Sequence, residues 1–156
     1  MKKKKLRWIF GNYSITQKFG KTYFANENPS YYPVGGHTGI DFGMPVRTPV
    51  KAATDGEVRQ DDDAGNGARG ISLCIIDPKQ LISTHYLHLS FNIVTDGQKV
   101  KAGDIIGYSG NTGLSTAPHL HFGLCEVDKN WMRINKNNGT NGFIDPFDEE
   151  RFQWIA

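Results

Sequence analysis

The chain has 156 residues, enough for one domain with its own hydrophobic core. Its formal net charge is +2, and four consecutive lysines in MKKKKLRW account for it; without them the 18 basic residues fall below the 16 acidic ones. The body of the chain therefore lacks the basic excess of a nucleic-acid interface. Its longest apolar runs are too short to cross a bilayer.

Taken in chain order, residues 1–8 form a like-charge block, which reads as a solvated, disordered terminus. A weak attraction to an anionic cell surface is the sharper alternative. The lysines imitate the start of a signal peptide, but LRWIFGNYSITQ lacks the apolar stretch of ~7–15 residues that such a peptide needs. An extracellular target would then require delivery by another carrier, a virion or a larger protein. A long polar loop, GKTYFANENPSYYPVGG, leads to GGHTGIDFG, where closely spaced glycines argue for a turn or strand end. TPVKAAT, GEVRQ, GISLCIID, LISTHYLHLS, NIVTDGQKVKAGDIIGYSG and HLHFGLCEV follow as short strand-like runs separated by Gly, Asn, Asp and Pro. A second long loop, DKNWMRINKNNGTNG, precedes DPFDEERFQWI, which fits a short helix or a final strand. The expected fold is an all-β domain of short antiparallel strands over residues 9–156. Cys74 and Cys125 stand too far apart for a CxxC metal site and read as small buried apolar residues.

Four of the five histidines and one aspartate carry the chemical signal. In HLHFGL, strand alternation puts His119 and His121 on one face, ~6.6 Å apart, with Leu120, Phe122 and Leu124 on the other. Two imidazoles on one face make two metal ligands, or one ligand beside one acid/base group. His37 and Asp41 lie in the glycine-flanked turn upstream, and both offer good zinc donors. With one histidine of the HxH pair they make three protein ligands and leave a fourth position open, the pattern of a catalytic site. In STHYLHLS, His85 and His88 have opposite parity, so a regular strand presents only one of them to the site; His88 is the expected one, with Tyr86 on its face and His85 in a structural or surface role. No HExxH is present, so the glutamate base of that protease class is excluded.

HTGID, YLHLS, GDIIGYSGNTG and STAPHLHF, in this order from about residue 34 to 124, resemble the consecutive motifs of the M23 family of zinc endopeptidases, lysostaphin type. FIDPF resembles the family's closing segment. The resemblance implies a small open antiparallel β-barrel or sandwich (a barrel-sandwich hybrid), with long loops flanking a groove across one zinc ion. It implies cleavage of peptide bonds in bacterial peptidoglycan. Carried over position by position, His37, Asp41 and His121 bind the metal, while His88 and His119 are metal-free catalytic histidines. Tyr31 or Tyr32 then stands near the metal as a donor to the oxyanion, and Tyr31 and Tyr86 line the substrate groove. Arg47 departs from the pattern where the family often has glycine, and Ala117 replaces another frequent glycine. The implied partners are peptidoglycan peptides, met in the wall, the periplasm or outside the cell by a monomeric domain, with no nucleic acid involved. The competing expectation is a catalytically inactive M23-like module that binds or activates other wall hydrolases. A carrier-domain reading of VTDGQKVKAGDIIG lacks the displayed lysine setting it needs. The loops at 21–36 and 128–142 are the expected determinants of which bond is cut, and a phage lysin is the setting suggested by the unassisted N-terminus.

Overall fold

A computed structural model describes residues 2–30, 35–60 and 67–156. Tyr31 and Tyr32 lie outside the described residues. Among those described, the chain is almost entirely β, as expected, with one short helix, α1 (Tyr23–Glu27). The Thr22 hydroxyl caps that helix by accepting from the Ala25 N–H.

Two strands pair apart from the rest. β1 (Lys4–Arg7) runs parallel to β11 (Phe152–Ile155), with Leu6 opposite Trp154. This corrects the expectation of a disordered terminus through residue 8. Alternation along β1 sends Leu6 fully into the core, and that burial outweighs the mutual repulsion of exposed lysines. It also settles DPFDEERFQWI as a final strand.

The larger sheet has nine strands, β2 (Ile15–Gln17), β3 (Gly39–Phe42), β4 (Pro49–Lys51), β5 (Gly56–Gln60), β6 (Ile71–Asp77), β7 (Ile82–Asn92), β8 (Lys99–Val100), β9 (Ile105–Ser109) and β10 (Leu120–Glu126). The path runs β2-β3-β10-β7-β6-β5-β8, with every neighbouring pair antiparallel. The long strand β7 serves two layers. Its first half pairs with β10 and β6, and its second half pairs with β9, which carries β4. The sheet thus folds over its own core, as a small barrel or sandwich does.

Period-two patterning sorts the faces. Leu120, Phe122 and Leu124 of β10, Leu73 and Ile75 of β6, and Tyr86 of β7 point into the main core, stacked with Phe10 and Phe42. Cys74, Ile76, Cys125 and Phe143 form a smaller cluster on the opposite face. Neither cysteine forms a disulfide and both are buried, in keeping with the apolar role read from their spacing. The candidate site occupies this second face, so the main core holds the strands in place without contributing to the chemistry.

Candidate active site

His37, Asp41 and His121 come together in one buried cluster. His121 on β10 stands opposite Asp41 on β3 in register, and His37 precedes β3. His37 Nε2 lies 3.0 Å from His121 Nδ1, His121 Nδ1 lies 3.0 Å from Asp41 Oδ1, and His37 Nε2 lies 3.1 Å from the same oxygen. Gly39 makes this approach feasible: a Cβ there would come within 2.7 Å of His121 Nε2.

Hydrogen bonds set the tautomer of His37. Its Nδ1 lies 2.8 Å from the Lys18 carbonyl oxygen, which can only accept, so Nδ1 carries the proton and Nε2 offers a lone pair to the cluster. Burial pushes the Asp41 carboxyl upward, but hydrogen bonds and charges from His121 and His37 outweigh it and hold the group well below the usual carboxylate range. Burial holds His121 below the usual imidazole range despite Asp41. Two imidazole nitrogens and one carboxylate oxygen therefore converge on one point. Their mutual spacing suits ligands around one small cation at ~2.0–2.2 Å, and the N,N,O donor set is one that zinc accepts. The residues present fit the metal.

His88 and His119 flank the cluster, with ring centroids 4.7 Å apart; His88 lies 6.0 Å from the His121 ring. His119 Nε2 is 3.7 Å from Asp41 Oδ1. Each has its Nδ1 against a backbone carbonyl: His88 at 2.8 Å from Thr112 O, and His119 at 2.8 Å from Ala117 O. In the neutral imidazole this tautomer leaves the lone pair on Nε2. Burial, followed by the neighbouring His121 and His119, pushes His88 down to about 4. It is neutral at neutral pH and able to accept a proton.

His88 reaches the site by a route that alternation alone does not predict. Ile71 pairs with Leu89 and Leu73 with Tyr86, so two residues of β7, Leu87 and His88, oppose the single Ser72 of β6. This is a β-bulge, and His88 takes a left-handed φ of 63°. The bulge rotates His88 away from the core face that Tyr86 occupies. Gly110 packs against it, since a Cβ there would lie 2.7 Å from the His88 carbonyl oxygen.

Two readings that assumed a regular strand are corrected by this bulge. Tyr86 does not line the groove: it is fully buried, with its hydroxyl accepting from the Ala53 N–H at 2.8 Å. His85 lies on the site's own face of the sheet, paired with Gly123, one register step behind His121. It is buried, accepts from Arg69 Nη2 at 3.0 Å and donates through Nε2 to Ser83 Oγ at 3.1 Å. Cys125 Sγ lies 3.5 Å from the same Nε2, away from the cluster.

The groove over the cluster encloses about 210 Å³, and all of His37, Asp41, His88, His119 and His121 line it. Gln17, Phe24, Arg69 and Thr116 are among the other residues of its walls. Reading the chain for motifs missed Arg69 and the orienting carbonyls of Lys18, Thr112 and Ala117. A backbone carbonyl leaves no side-chain signature, and Arg69 belongs to no spacing pattern.

The model of peptidase family M23 matches residues 35–136, a span that contains the four groove histidines and the aspartate. The glycyl-glycine endopeptidase ALE-1 of Staphylococcus capitis is 44% identical over 109 residues, 70% of this chain and 30% of its own length. The peptidoglycan DD-endopeptidase ShyA of Vibrio cholerae is 46% identical over 94 residues, 58% of this chain and 20% of its own length. The chain thus spans about a third or less of these relatives. The catalytic domain of the antimicrobial peptidase lysostaphin from Staphylococcus simulans superposes with a TM-score of 0.68 at 33% identity, covering 88% of this chain and 91% of that one. Its groove, its fold and most of its length therefore agree with one family, and the chain belongs to peptidase family M23, the zinc metallopeptidases of lysostaphin type.

Proposed function

We propose that the chain is a zinc-dependent endopeptidase that hydrolyses peptide bonds in bacterial peptidoglycan, in the stem peptide or the cross-bridge. The observation that carries this reading is the compact His37–Asp41–His121 cluster with two further imidazoles beside it, each offering a lone pair on Nε2. When bound, zinc polarises the scissile carbonyl and lowers the pKa of a water toward ~7. His37, Asp41 and His121 would hold the ion, and the single carboxylate of this set would leave the loaded site net positive, which favours a developing oxyanion.

His88 and His119 handle the proton. An Nε2 of this pair takes the proton from the attacking water and later passes it to the leaving amine. The carbonyls of Thr112 and Ala117 keep both rings oriented throughout. One relative is named a glycyl-glycine endopeptidase and the other a peptidoglycan DD-endopeptidase, so cross-bridge and stem peptide are both carried into the test. Action in the wall or periplasm, with carriage there by a virion or a larger protein, belongs to the same proposal. The inactive-module alternative is not favoured, because every ligand and proton-handling position is occupied by a competent side chain.

The test is zinc content of the purified protein, paired with turbidity loss of two peptidoglycans, one glycine-bridged and one directly cross-linked, with and without chelator. About one zinc per chain and chelator-sensitive lysis of either wall is the expected result. Folded protein with neither zinc nor lysis would overturn it.

A further inference from the structure

We propose that β1 and the β6–β7 turn form a second binding surface that holds an anionic phosphodiester polymer of the cell wall. The surface stands on its own geometry; the choice of a wall polymer rests on the peptidase reading above.

The lysine run is ordered here. Alternation along β1 buries Leu6 and turns Lys4 toward Glu126, whose carboxylate accepts at 2.6 Å. The opposite face of the strand therefore presents Lys5 and Arg7 to solvent, and Lys3, just ahead of the strand, is exposed as well. Backbone contacts hold that face rigid. The Lys5 N–H donates to Gln80 Oε1 at 2.6 Å, Gln80 Nε2 donates back to the Lys5 carbonyl at 2.9 Å, and the Arg7 N–H donates to the Ala53 carbonyl at 2.7 Å. With Lys2 and Lys79 these side chains border an open cleft of about 630 Å³.

The two carboxylates beside the cleft are already engaged. Asp55 pairs with Lys101 at 3.2 Å and accepts from the Ala102 N–H. Asp77 is buried and accepts from Thr54, Lys79 N–H and both nitrogens of Gln80. Among the described residues, Lys2, Lys3, Lys5, Arg7 and Lys79 have no carboxylate within ion-pair distance. Five cations on one small surface repel one another unless an anion screens them.

The lining selects the anion. It holds no aromatic side chain on which a base could stack, which disfavours single-stranded nucleic acid. Ile155 is its one large apolar residue, and no amphipathic helix borders it, which disfavours insertion into lipid. Compact ammonium groups on flexible stems suit a flexible chain of phosphates. Ile82, where β7 leaves the turn, and His88 are six residues apart, about 20 Å by strand rise, so a polymer held here leaves the groove open. Tethering raises the local concentration of wall peptides at the groove.

The test is co-sedimentation with purified walls that retain their phosphodiester polymer and with walls stripped of it by hydrofluoric acid. Wild type is compared with Lys3→Gln/Lys5→Gln/Lys79→Gln and with a control, Arg47→Gln/Lys51→Gln/Lys99→Gln, which removes equal charge at exposed positions outside both the groove and the cleft. Polymer-bearing walls should retain wild type and the control, and raising salt from about 50 to about 200 mM should weaken retention by roughly an order of magnitude. The β1 variant should fall to the level seen on stripped walls while hydrolysing soluble peptidoglycan fragments at the wild-type rate. Equal binding of both variants, equal binding to both walls, or stronger binding to phosphatidylglycerol vesicles or oligo(dT) would overturn the proposal. Polymer-dependent binding without hydrolysis would remove the peptidase reading and leave the surface standing.

Discussion

At the scale of single residues, the site depends on how each imidazole spends its two nitrogens. His37, His88 and His119 each give Nδ1 to a backbone carbonyl, which directs Nε2 into the groove. The proposed division of labour yields a sharp contrast. His121→Ala should lose zinc and activity together, whereas His88→Ala and His119→Ala should keep about one zinc per chain and lose activity by roughly 10²–10⁴-fold. Metal analysis alongside turbidity assays checks this, and metal loss from the His88 or His119 variant would reverse the assignment of roles. His85 supports a different expectation. Burial first, then the Arg69 and Arg133 cations, holds it well below the usual imidazole range. The unfolded chain takes up a proton near pH 6.5 and the folded chain does not, so this residue's contribution is present above about 6.5 and lost as pH falls. His85→Gln, which can still accept from Arg69 and donate to Ser83, should lose less stability between about pH 7.5 and 5 than wild type does, as read from urea midpoints. Arg47 explains itself at this scale too: it is exposed, lies outside the groove, and has a φ of 68°, a conformation in which glycine is free of strain.

At the scale of elements, β7 and β1 carry the lessons. Alternation in β7 was legible in the sequence as far as Tyr86, and the bulge at Leu87–His88 was not. A one-residue insertion exchanges the faces of everything beyond it, and no local residue pattern announces the single opposing Ser72. The N-terminal strand was hidden by its own charge. Its pairing partner is the last strand of the chain, and only the contact with Phe152–Ile155 makes Lys4–Arg7 a strand. Leu6→Ala should therefore cost about 2–4 kcal/mol in urea unfolding, as for other fully buried leucines. A disordered tail would show no change.

At the scale of the whole molecule, segments distant in sequence supply one cluster. His37 and Asp41 come from the edge of β3 and His121 from β10, so an ion held by all three binds the folded chain and not the unfolded one. Chelation should lower the melting temperature by several degrees, by an amount that grows with the free zinc used as reference. An unchanged melting temperature would mean that the cluster holds no metal.

The sequence by itself determined the all-β class, most strand positions, and His37, Asp41 and the His119/His121 pair as candidate donors, because alternation and donor chemistry are local properties of neighbouring residues; His88 joined them through the family resemblance, and the bulge carries it to the groove. Only the tertiary structure decided that β1 is a strand, that Tyr86 belongs to the core, and that His85 lies behind the site on its own face. Those outcomes depend on register and burial between segments far apart in the chain, and a linear pattern carries no record of which strand lies opposite which.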